Sequence, residues 1–85
     1  MQRTVFLTGA SGGIGQAIAA RLTAGGLTVL GFDTQAPGAP SSLKGFTTVD
    51  VSDSDALTAA FTSAAERYGA PAHLVVAAGV IVTVR

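Results

Sequence analysis

The chain has 85 residues, 48% of them hydrophobic and 12% charged, which limits it to one domain burying roughly 60 to 65% of its unfolded surface and leaves little polar skin to cover it. Five basic and five acidic residues cancel without forming any basic cluster, so no nucleic acid and no anionic membrane is expected as a partner. Cysteine is absent, which excludes disulfides, thiolate nucleophiles and cysteine metal sites and fits a reducing, cytoplasmic setting.

Met1-Gln2-Arg3 leads directly into a short apolar run, without the longer stretch and small-residue cleavage site of a signal peptide. No span approaches membrane length. Thr4-Val5-Phe6-Leu7-Thr8 is β-branched and aromatic and ends at glycine, which predicts a buried parallel strand. From Ile14, the apolar residues Ile14, Ala17, Ile18 and Leu22 recur at helical spacing, and Gly25-Gly26 supplies a left-handed stop. Leu27 to Phe32 is a second strand closing on Asp33, and Thr34 to Lys44 reads as a surface loop. Phe46 to Val49 makes a third strand, followed by Asp50-Val51.

Ser52, with Asp55 three residues on, predicts a helix start. The helix then lines up Leu57, Ala60, Phe61, Ala64, Ala65 and Tyr68 on one face and stops at Gly69 and Pro71. Leu74 to Ala78 is a fourth strand before Gly79. Strands and helices alternating at this spacing pair in parallel with right-handed crossovers, so the predicted class is α/β, a Rossmann-type doubly wound parallel sheet in three layers, of which residues 1–85 form an incomplete N-terminal half.

Thr8-Gly9-Ala10-Ser11-Gly12-Gly13-Ile14-Gly15 stands between the first strand and the first helix. Glycines there let the backbone turn sharply and approach a pyrophosphate, and the N–H groups of the helix start form an anion site. Ser11 offers a hydroxyl donor. Asp33 follows Gly15 by eighteen residues at the carboxyl end of the second strand, where a carboxylate accepts adenosine ribose hydroxyls and repels a 2′-phosphate. Its neighbours Gly12 and Thr34 carry no cation to pair such a phosphate, so NAD is the expected cofactor and NADP the lesser one.

The order of these features resembles the short-chain dehydrogenase/reductase family. Its turn, Thr-Gly-x-x-x-Gly-x-Gly, is matched by Thr8, Gly9, Gly13 and Gly15, and Gly9, Gly12 and Gly15 also satisfy the Gly-x-x-Gly-x-x-Gly of its extended subfamily. The resemblance implies an oxidoreductase exchanging hydride between an alcohol and a ketone, Asp50 and Val51 at an adenine pocket, and assembly as a homo-oligomer. It also places Ala77, Ala78 and Gly79 beside the nicotinamide ribose, where Val76 stands in place of the family's asparagine. The Ala-Ala-Gly ending is similar to single-domain members. Val29 to Asp33 is similar to dihydrodihydroxybenzoate dehydrogenases and nearly as close to hydroxysteroid dehydrogenases.

The family's catalytic serine and Tyr-x-x-x-Lys are not found. Tyr68 is followed by Gly69, Ala70, Pro71 and Ala72, and the lone His73 is expected to pack rather than ligate. The chain alone is therefore expected to bind dinucleotide without turnover. Two alternatives stand beside this: a non-catalytic NAD-binding or sensing module, and the front half of an extended-type nucleotide-sugar epimerase or dehydratase. Finally, Val80 to Val84 follows Gly79 where the family has a loop and helix, and it resembles the family's fifth strand. The sequence thus predicts a connecting segment missing between Gly79 and Val80, residues 80–84 parallel to the fourth strand, and an exposed, poorly soluble fourth-strand edge.

Overall fold

The computed structural model describes residues 3–36, 42–76 and 80–83. Its elements run β1 (Thr4–Thr8), α1 (Gly13–Ala24), β2 (Thr28–Asp33), β3 (Gly45–Thr48), α2 (Ser54–Tyr68), β4 (His73–Val76) and β5 (Val80–Thr83). The strands make one sheet in the order β3-β2-β1-β4-β5. Adjacent pairs from β3 through β4 are parallel, so the carboxyl ends of four strands share one edge. Chain order reverses at β1, with β2 and β3 on one side and β4 on the other. That is the switch point outside which open α/β sheets bind ligands.

β1 is buried at every position, as a β-branched and aromatic strand covered on both faces must be. Its alternation feeds two clusters. Val5 and Leu7 join Ala10, Ala19, Val29 and Val75. Phe6 joins Leu30, Phe32 and Val49, with the predicted α2 face from Leu57 to Tyr68 packed against them. Here the rings of Phe6, Phe32 and Phe61 meet in tilted and edge-on pairs, with centroids 4.9 to 5.3 Å apart.

Four expectations are corrected. The face of α1 turned to the sheet carries Gly15 and Ala19, which are buried, with Ile18 and Leu22 packed beside them; Ile14 and Ala17 are exposed. Apolar periodicity pointed one residue away because close approach of helix to sheet selects small residues over large ones. The α2 cap is Asp53, whose Oδ1 accepts from the Ala56 amide at 3.1 Å. Ser52 stands one residue before that cap, and its amide and hydroxyl donate to Asp50 Oδ1 at 2.9 and 2.7 Å.

β5 lies beside β4 as expected but runs antiparallel, pairing Val76 with Val80 and His73 with Thr83. Three residues separate the two strands in sequence, enough for a hairpin and far short of the dozen or so a parallel crossover needs. β5 also covers the β4 edge, so β4 is not the exposed strand that the sequence predicted.

Candidate functional site

The glycine turn leaves β1 at Gly9, whose φ of 70° lies in the left-handed region that a side chain disfavours. Its amide donates to the Phe32 carbonyl at 2.9 Å, tying the turn to β2. Gly15 is fixed by close packing: a Cβ there would lie 2.1 Å from the Gly9 carbonyl oxygen and 2.9 Å from the Ala10 Cα. Gly13 is the opposite case. Nothing lies within 4 Å of a Cβ built on it, and one on Gly12 would meet only the Gly9 oxygen, at 3.8 Å. The protein's own packing demands Gly15 and leaves open space over Gly13.

That open space lies at the start of α1. Gly12 caps the helix without a side-chain hydrogen bond, and the first turn carries no acidic residue. The first N–H groups of a helix have no acceptor within it, and the helix dipole makes their end positive. A bare backbone of this kind fits a pyrophosphate, whose oxygens need donors and room rather than side chains.

Asp33 ends β2, and its carboxylate reaches back to the turn. Oδ2 accepts the Ser11 hydroxyl at 2.6 Å and the Ser11 amide at 3.1 Å. Oδ1 accepts the Thr34 amide at 2.7 Å and its hydroxyl at a longer 3.4 Å. The Ser11 hydroxyl is the main reason that Asp33 stays below the ordinary carboxylate pKa; partial burial opposes it, and the Ser11 and Thr34 amides add to the lowering. Ser11 is itself anchored, since Gln16 Nε2 donates to its carbonyl at 2.9 Å. The sequence reading of Ser11 as a donor and Asp33 as an acceptor did not foresee that the two would meet. Nothing in a spacing of twenty-two residues announces it.

Asp50 follows the end of β3. It is brought near Asp33 through the backbone, where the Val49 amide donates to the Asp33 carbonyl at 2.8 Å. The Asp50 carboxylate is exposed and held below its ordinary pKa first by the Ser52 hydroxyl, then by the Ser52 amide. Among the described residues, the exposed large hydrophobic side chains are Ile14 and Val51, both predicted site residues at this edge of the sheet. Ala77, Ala78 and Gly79 lie outside the described residues.

Tyr68 packs with the α2 cluster. Among the described residues, no group of His, Cys, Asp or Glu could hold a metal ion, and no helix is long and apolar enough to cross a membrane.

Comparison with known proteins identifies the family and the fold. The short chain dehydrogenase family model matches residues 3–85. The 3-oxoacyl-acyl-carrier-protein reductase MabA, of Mycobacterium bovis and of Mycobacterium tuberculosis, is 44% identical over 79 residues, covering 93% of this chain. The chain spans 31% of that relative's length. Among solved structures, the aldohexose dehydrogenase of Thermoplasma acidophilum superposes with a TM-score of 0.79 at 33% identity, over 88% of this chain and 29% of that one. A short-chain dehydrogenase of Leptospira borgpetersenii serovar Hardjo-bovis with bound NAD+ shares the fold, with a TM-score of 0.76 at 20% identity, over 87% of this chain and 30% of that one.

Proposed function

The chain belongs to the short-chain dehydrogenase family, and from that premise we propose that it holds NAD as the nucleotide-binding part of an oxidoreductase moving hydride between an alcohol and a ketone. The observation that carries this reading is the Asp33 carboxylate, ionised and tied to the glycine turn by Ser11. When bound, the dinucleotide supplies the carbon that gives or takes the hydride. The chain's own residues bind and orient it.

In this reading the first-turn amides of α1 oppose the pyrophosphate charge, and Gly12 and Gly13 keep the approach open. Asp33 accepts ribose hydroxyls and disfavours a 2′-phosphate by like charge, with Gly12 and Thr34 offering no cation to offset it. Asp50 and Val51, with Ile14, face the adenine; Ala77, Ala78 and Gly79 keep the backbone near the nicotinamide ribose. The named relatives are a reductase and dehydrogenases, which supports the oxidoreductase reading over an epimerase or dehydratase. Tyr68 has no lysine four residues on, so the 85-residue chain binds without turning over. The substrate pocket, and assembly as a homo-oligomer, belong to the longer enzyme.

Thermal shift tests the reading. NAD at a hundred times its Kd stabilises by ~2.7 kcal/mol, which for a domain of this size raises Tm by about ten degrees or more. NADP is expected to do far less. Asp33→Ala removes the difference between the two, and adding Thr34→Arg turns it toward NADP. An unchanged NAD preference in Asp33→Ala overturns the assignment. Hydride transfer by the pure 85-residue chain overturns the division of labour.

A further inference from the structure

We propose that Ser11 is a positioning residue for ribose recognition: its hydroxyl and amide together hold the Asp33 carboxylate against the glycine turn, so that one unit sets both cofactor contacts. This rests on reading Asp33 as the ribose acceptor. The two residues are twenty-two positions apart, yet both donors of Ser11 converge on a single oxygen, Oδ2, at 2.6 and 3.1 Å. A carboxylate at the end of a strand otherwise rotates about its side-chain torsions, and the terminal one is broad. Two donors on Oδ2 and the Thr34 amide on Oδ1 remove that freedom.

The anchor extends further back. Gln16, in the first turns of α1, donates from Nε2 to the Ser11 carbonyl at 2.9 Å. Gly9 donates to the Phe32 carbonyl, one residue before Asp33. The path from α1 through Ser11 to Asp33 and back through Phe32 to Gly9 is therefore a circuit closed by hydrogen bonds and backbone together. Its members include the turn that faces the pyrophosphate and the acid that faces the ribose. The Ser11 side chain joins the two, and it thereby fixes the spacing between them. The same bond keeps Asp33 ionised, and the groups acting on that carboxylate are Ser11 and Thr34 together with partial burial; no charged side chain is among them.

The test uses the 85-residue chain and three variants, Ser11→Ala, Ser11→Thr and Asp33→Ala. First, the carboxyl carbon of Asp33 is titrated by NMR without dinucleotide. Ser11→Ala is expected to raise its midpoint toward the ordinary 3.8, and Ser11→Thr to restore the low value. Second, NAD and NADP affinities are measured from pH 2.5 to 8. Ser11→Ala is expected to weaken NAD roughly tenfold, the scale of one hydrogen bond to a charged group, to narrow the NAD over NADP ratio, and to shift the acid limb of NAD binding upward; Ser11→Thr recovers all three. A role in mere folding would not move the Asp33 midpoint or that limb. An unchanged midpoint, or NAD binding as tight as in the parent, overturns the role of Ser11. Asp33→Ala binding both dinucleotides like the parent overturns the ribose reading beneath it, a separate failure.

Discussion

The turn after β1 and the turn after β3 meet the same edge of the sheet, and in each a serine holds an acid, but they are built on different scales. Asp33 draws its serine from twenty-two residues away, across the β1–α1 turn. Asp50 draws its serine from two residues away, inside its own turn. The first bond exists only when β1, α1 and β2 are assembled, whereas the second can form in any chain that places Asp two residues before Ser. A lowered carboxylate pKa is common to both, so it does not distinguish them. The reach of the hydrogen bond does: a change at the first turn is felt by several elements, and a change at the second stays where it is made.

The largest effect expected from this contrast separates two glycines of one turn. Gly15→Ala puts a methyl group 2.1 Å from a backbone oxygen that cannot move without unseating Gly9. The cost should reach or exceed the ~3 kcal/mol at the upper end of ordinary overpacking, a Tm loss of well over ten degrees or failure to fold. Gly13→Ala meets nothing within 4 Å and exchanges glycine for a better helix former, so stability should hold or rise by up to ~1 kcal/mol. NAD affinity should nevertheless fall about tenfold or more if the open space is where the dinucleotide lies. Melting curves and binding isotherms on the same two proteins check both claims. Equal loss of stability in the two variants would break the distinction between packing and binding glycines.

A smaller effect is expected at the second turn. Asp53→Ala removes the α2 cap to Ala56 and should cost about 1 kcal/mol, measurable as a drop of a few degrees in Tm. Ser52→Ala should cost less, because Ser52 serves Asp50 rather than the helix. The opposite ranking would restore the cap that the sequence suggested.

These two turns also show what a sequence of this kind discloses. Strand positions were legible because β1 and β2 are continuous apolar runs, buried on both faces. The glycines were legible through their spacing, and Asp33 through its place at a strand end. The contacting face of α1 was misread because periodicity weighs apolar size, and the helix approaches the sheet through Gly15 and Ala19. The cap of α2 was misread because Ser52 and Asp53 both suit a helix start, and the helix begins one residue later than the serine required. The direction of β5 followed from connection length, yet resemblance to the family's fifth strand outweighed that length. The link from Ser11 to Asp33 had no local signature at all, since it is a product of the assembled sheet.

The smallest effect expected is also the one that probes the contrast most directly. Asp50→Asn keeps an oxygen able to accept from Ser52, so the turn and the start of α2 should persist and Tm should stay close to that of the parent. The charge lost is fully exposed, and its influence on stability follows the usual carboxylate sign. A pKa lowered from 3.8 contributes at pH above that value and disappears as pH falls through the lower folded-state value. Asparagine abolishes that dependence and leaves the same dependence of Asp33 in place. Binding should respond differently at the two positions. If Asp50 faces the adenine through one hydrogen bond, its amide variant should weaken NAD and NADP alike, by about two- to tenfold, and leave their ratio unchanged, because both carry the same adenine. Isothermal titration of both dinucleotides against parent and variant measures that ratio. A shift in it would mean that Asp50 senses the ribose substituent through Asp33, most directly along the backbone bond from Val49, and the two turns would then form one recognition unit instead of two.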